Sequence, residues 1–170
     1  MNTFAKIEFA FRSGKITFYS IHVEGRDLSE FDDFQKFFLE EDDKYSAEYD
    51  ELVAFIEEIG KRGANPGYFR HEGEAKAIPV EFCVRRREVI VGYNNPIRLY
   101  CIPLGRQAVI LMNGGIKTED NPNDCTNVAT YFREARCFAR AVDKGLVAGS
   151  LCLKDGVLDL LRGDEIEVRL

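Results

Sequence analysis

The sequence predicts an α+β fold, and three observations lead to that expectation. Segments near both ends and through the middle alternate apolar and polar residues with the period of a strand. Three other segments space their apolar residues three and four apart, the period of an amphipathic helix. The two kinds come in blocks, strands then helices then strands, rather than in strict alternation, which favours α+β over a doubly wound sheet. At 170 residues the chain has the length of one ordinary domain, and thirteen Phe with seven Tyr supply ample core material.

Residues 5–23 read as a β-hairpin. Ile7, Phe9 and Phe11 alternate before Ser13-Gly14, and Ile16, Phe18 and Ile21 continue after it, so the Ser-Gly pair marks the turn. A helix follows from Asp27 or Ser29, either able to cap it, to about Asp42, with Leu28, Phe31, Phe34, Phe38 and Leu39 as its apolar side. Ser46 opens a second helix to about Lys61. Tyr49, Leu52, Val53, Phe55, Ile56 and Ile59 form its stripe, and Gly60 or Gly63 ends it. Gly63-Ala64-Asn65-Pro66-Gly67 is a loop.

Four strands are expected next: Ala77–Val84, Val89–Tyr93, Ile97–Ile102 and Gln107–Asn113. Ala108 to Met112 is nearly continuous in apolar residues, as a central strand covered on both faces requires. Asn121-Pro122 opens a third helix, with Asn at the cap and Pro in the first helical position. Val128, Tyr131, Phe132, Ala135, Phe138, Ala139 and Val142 give it one apolar stripe through to Gly145. Residues 150–170 alternate again around Asp155-Gly156 and predict a short second hairpin.

Several function classes are excluded at this level. No apolar run approaches the roughly 20 residues that span a bilayer, and Met1 to Arg12 lacks the basic start and apolar stretch of a signal peptide, so a cytoplasmic address without membrane attachment is expected. Cys83, Cys101, Cys125, Cys137 and Cys152 lie far apart with no metal-ligand spacing. They read as reduced thiols, and no metal or cofactor is expected. Gly114-Gly115 lacks the rest of a nucleotide-binding fingerprint, and no Gly-x-Ser-x-Gly elbow occurs.

The formal charge of −6 is unevenly placed. Residues 1–60 carry a balance of −9, residues 61–140 a balance of +5, and residues 141–170 a balance of −2. The strand-rich middle is therefore basic, which suits either an anionic partner or ordinary solvated faces. Its densest run is Arg85-Arg86-Arg87, fit for phosphate contacts or for solubility at an exposed turn.

Residues 51–122 resemble the RelE/HigB-like toxin superfamily of toxin–antitoxin systems, including its phage-derived HigB-like branch. The resemblance lies in the helix Glu51–Gly60, the strand entry Tyr68-Phe69-Arg70-His71-Glu72-Gly73 with Ala77–Phe82, the strand Ile97-Arg98-Leu99-Tyr100-Cys101, and the strand Ala108–Met112 running into Asn113-Gly114-Gly115-Ile116-Lys117-Thr118. The last two are the specific parts. A Pro-started helix follows them, here at Pro122.

The resemblance implies a curved antiparallel sheet packed by two N-terminal-side helices and a third helix. Against that family layout the N- and C-terminal hairpins are extra, so a single domain is expected with a core of about residues 46–145 and extensions 1–45 and 146–170. The resemblance further implies a ribosome-associated messenger RNA endonuclease restrained by a cognate antitoxin. RNA backbone cleavage needs a base for the 2′-hydroxyl, positive charge for the phosphorane and an acid for the leaving oxygen. By the resemblance Arg98 and Lys117 supply charge, and Arg106 assists. His71 is the candidate base because imidazole titrates near neutrality. Tyr131 and Arg133, on the following helix, join Arg85, Arg86, Arg87 and Arg106 as RNA-binding positions.

Plain structural roles stay open beside these: a sheet ion pair for Arg98, a strand cap for Lys117, a surface loop for His71. The chain also departs from the family pattern, with Thr118 in place of a second lysine, Gly115 in place of the usual Phe, and Glu119-Asp120 where basic residues stand. The alternative function is a non-catalytic module of the same fold that binds protein or RNA.

Overall fold

The computed structural model describes residues 2–41, 43–72, 75–79, 83–85, 88–90, 95–118 and 128–170, with the backbone alone at 72, 83–85 and 88–90. Strands β1 (Asn2–Ser13) and β2 (Ile16–Val23) form the expected hairpin, turning at Gly14 with φ 55°. The pairing slips between Phe9 and Phe11, where one extra residue enters β1. Such a bulge moves every later side chain to the other face. Phe11 therefore stacks on Phe18 at 4.7 Å instead of continuing the row of Ala5 and Ile7, and Phe9 is left exposed.

Helix α1 (Glu30–Lys36) starts where Ser29 caps it, its side chain accepting from the Asp32 N–H at 3.2 Å. The helical path widens into a π turn over Phe37–Glu41. The wider turn keeps Phe38 in the core and leaves Leu39 exposed, against the expected apolar side. Helix α2 (Ser46–Arg62) runs past Gly60 and ends at Gly63. Gly60 stays inside because the β1–β2 turn rests on it: a Cβ there would lie 2.6 Å from the Ser13 carbonyl, and the Lys15 N–H bonds the Gly60 carbonyl at 2.8 Å. Val53 is exposed rather than part of the buried stripe.

After a 3₁₀ turn (Pro66–Tyr68) come β3 (Arg70–Glu72), β4 (Ala75–Ile78), β5 (Cys83–Arg85) and β6 (Glu88–Ile90). The expected strand Ala77–Val84 is thus split. Pro79 has no N–H to continue the ladder, and β5 pairs with β6 in a separate two-stranded ribbon. Strands β7 (Ile97–Leu104) and β8 (Ala108–Ile116) form a long hairpin buried along nearly its whole length, as the apolar run predicts.

Helix α3 (Ala129–Ala148) passes Gly145 and ends at Gly149 in the left-handed region, φ 85°. Gly145 serves packing instead: Leu151 closes on it, 3.1 Å from where a Cβ would stand. The helix opening expected at Asn121-Pro122 lies outside the described residues. The chain closes with a hairpin of β9 (Leu153–Lys154) and β10 (Val157–Leu158) around Asp155-Gly156, then β11 (Glu165–Arg169).

The fold is α+β, with three α-helices among the described residues and a seven-stranded sheet ordered β11-β1-β2-β8-β7-β4-β3. The sheet is mixed rather than wholly antiparallel, because β2 and β8 run parallel. Residues from the two ends of the chain, in β1, β2 and β11, belong to the same sheet as β7 and β8. Helices α1 and α2 cover one face over Phe18, Leu99, Val109 and Leu111, and α3 covers the other over Tyr19, Tyr100, Ile110 and Met112. No described helix is long and apolar enough to cross a membrane.

Candidate functional site at the ends of β2 and β8

Two parallel strands that feed helices on opposite faces of a sheet open a crevice at their carboxyl ends. Strands β2 and β8 meet that condition. They pair from Thr17–Ala108 to Ser20–Leu111 and no further. Beyond Leu111 a bulge sets Met112 and Asn113 together opposite Tyr100, with Gly114 resuming the ladder against Leu99. After β2 the chain enters α1 on one face, and α3 follows β8 on the other.

Polar side chains fill the parting. Asn113 Nδ2 donates to Asp33 Oδ2 at 2.7 Å, and its Oδ1 accepts from the Gly114 N–H at 2.8 Å. Ser20 Oγ accepts from the Phe31 N–H at 3.0 Å, fixing the first turn of α1. Arg26, in the β2–α1 loop, donates to Glu30 at 2.6 Å and forks onto Glu134 of α3 at 3.0 Å twice. Its backbone carbonyl is held at 2.7 Å from His22 Nε2.

Burial pushes the Glu30 carboxyl above its usual range, the Arg26 guanidinium opposing and the Glu134 and Asp33 charges adding to the rise. Burial likewise raises the Tyr131 phenol, reinforced by the nearby Asp33, Glu30 and Glu134 carboxylates. This cluster has more carboxylates than cations, so it fastens α1 to α3 and does not itself receive a phosphate. No group of three or more metal-ligating side chains occurs among the described residues.

The basic candidates stand beside it. Arg98 on β7 lies opposite Gly115 on β8, and Lys117 follows two residues later, its N–H bonded to the Pro96 carbonyl at 2.8 Å. The strand period therefore places Lys117 diagonal to Arg98 on one face of the hairpin. Arg98 is only 8 % exposed, and its Nη1 donates to the carbonyls of Asn95 and Ile97 at 2.9 and 3.0 Å. Asn95, also buried, donates to the Glu48 carbonyl of α2 and accepts from the Ile97 N–H. Lys117 is half-buried.

The remaining candidates are dispersed. Arg106 is exposed in the β7–β8 turn, at the other end of the hairpin, about 26 Å away at 3.3 Å per residue. His71 is exposed on the edge strand β3, where Lys76 Nζ meets its Nδ1; β3 lies three strands from β8, about 14 Å across. Tyr131 reaches the carboxylate cluster, and Arg133, two residues on, is exposed on α3. The Arg85 backbone lies in β5 opposite Glu88; its side chain, Arg86 and Arg87 lie outside the described residues.

Arg26, Glu30, Asp33, Asn113 and Glu134 had no local signature, apart from the Asn113-Gly114-Gly115 run that marks a bulge at the end of an apolar strand. No protein-family model, curated protein or solved structure matches the chain.

Proposed function

We propose that this chain is a RelE/HigB-like toxin of a toxin–antitoxin pair, acting on messenger RNA at the ribosome as an endonuclease. The observation that supports it is the β7–β8 hairpin, which holds Arg98 and Lys117 on one face at one end. Two helices against one face of the sheet agree with the family layout. Lys117, half-exposed, stabilises the charge that develops on the phosphorus. Arg98, held by backbone carbonyls, keeps the hairpin end in shape beside it. His71, on the far edge, takes no part in this arrangement. Induced expression in a bacterial host should arrest growth and fragment messenger RNA, and Lys117→Ala should relieve both without unfolding the chain. Unimpaired growth with intact messenger RNA would refute it.

A second reading, a non-catalytic module of the same fold, is favoured by the burial of the Arg98 guanidinium. It expects harmless expression and a protein or RNA partner whose binding survives Lys117→Ala.

A further inference from the structure

Helix α3 presents its buried residues Phe132, Ala135, Phe138 and Val142 to the sheet. On the opposite side stand Arg133, Arg136, Arg140 and Lys144, spaced three, four and four apart, which is the spacing of one helix face. Arg133, Arg140 and Lys144 are exposed, and Arg136 lies over the Phe132 ring at 5.7 Å. The row runs about 16 Å at 1.5 Å per residue. It begins beside the candidate site, one turn from the start of α3, and ends in a groove of about 650 Å³ between α3 and the edge strand β11.

Among the described residues the charges around the row are lopsided. Asp143 is the one exposed carboxylate of α3 that borders it. Glu165, Glu167 and Arg169 also line the groove. Together with Arg140 and Lys144 they leave the groove lining with three cations against two carboxylates. In a chain of net charge −6 the α3 face is a local concentration of positive charge. Three of its four cations are arginines, whose planar forks pair with phosphate and stack on bases.

We infer that the Arg133–Arg136–Arg140–Lys144 face of α3 is a track for the phosphate backbone of single-stranded RNA, leading to the end of β8. The inference rests on RNA being the ligand of the proposed function, but not on cleavage.

The test is anisotropy of a short labelled oligouridylate titrated with the full chain over a range of salt. The Arg140→Glu/Lys144→Glu chain should bind at least about tenfold more weakly at low salt. The slope of log K against log salt should flatten by about 1.4, at about 0.7 per lost phosphate contact. The charge-conserving Arg140→Lys/Lys144→Arg chain should bind nearly as wild type. Unchanged affinity in the charge-reversed chain, or wild-type binding that polyglutamate displaces as well as RNA does, overturns the track; the latter result marks an acidic protein partner instead. Absent growth arrest, with RNA binding still lost on charge reversal, refutes the toxin reading and leaves the track standing.

Discussion

The guanidinium of Arg26 meets the carboxylate of Glu134 as a fork, Nη1 to Oε2 and Nη2 to Oε1, both at 3.0 Å. The two residues are 108 positions apart, Arg26 in the loop that leads into α1 and Glu134 on α3, helices on opposite faces of the sheet. Arg26 also holds Glu30, whose carboxylate is nearly removed from solvent. The pair therefore closes the sheet where β2 and β8 part.

Removing the cation strands Glu30 with an uncompensated charge. A fully buried pair loses about 3–5 kcal/mol when broken from one side, but Arg26 is 40 % exposed, and water screens part of the effect. Arg26→Ala should therefore cost roughly 2 kcal/mol, read from urea denaturation midpoints. Adding Glu30→Gln should recover part of that loss, because the stranded charge is gone. A neutral Arg26→Ala would mean that the fork does not hold the helices.

Glu30 also sets a sign for pH dependence. Its carboxyl is raised in the folded chain, chiefly by burial. In the interval just above the ordinary carboxylate range the folded state binds more protons than the unfolded state, so this group's contribution to stability falls as pH rises through that interval. Wild type should thus gain stability relative to Glu30→Gln as the buffer is acidified from neutrality. A constant difference between the two chains across that range would contradict the assignment.

Thiol reactivity should follow burial. Cys101 is buried on β7 and its thiol is pushed far up by desolvation, while Cys137 and Cys152 are half-buried. Thiolate is the reactive form. Brief alkylation of the native chain, mapped by mass spectrometry, should label Cys137 and Cys152 well before Cys101. Early modification of Cys101 would mean that β7 opens from its neighbours.

Gly114 should tolerate no side chain. A Cβ there would stand 1.7 Å from the Arg98 carbonyl oxygen, a backbone atom of the paired strand that cannot swing aside. Gly114→Ala should cost more than about 3 kcal/mol and should reduce the yield of folded chain. A thermal shift close to zero would show that the bulge can re-register.

The elements themselves were legible from short-range pattern. Ser29 caps α1, Gly14 turns the first hairpin, Asp155-Gly156 turns the last one, and the Ala108–Met112 run is a central strand. Glycine was harder to read as a stop signal, because Gly60 and Gly145 are used for close packing inside helices. The row Ile7, Phe9, Phe11 misled for a related reason: one inserted residue changes the face of everything after it. Arg98 was legible as a strand residue, but the two carbonyls that absorb its Nη1 were not.

By itself the sequence determined most of the helical and strand segments, the main apolar residues of each, and that positive charge concentrates in the middle of the chain. Periodicity, caps and turn residues act within about twenty positions, so they are written locally. Only the tertiary structure decided the parallel pairing of β2 with β8, the parting filled by Asn113 and Asp33, and the joining of Arg26 to Glu134. Those depend on strand order and register between segments some eighty to a hundred residues apart. Such contacts form when hydrophobic faces find their partners, and no local period states which partner that will be.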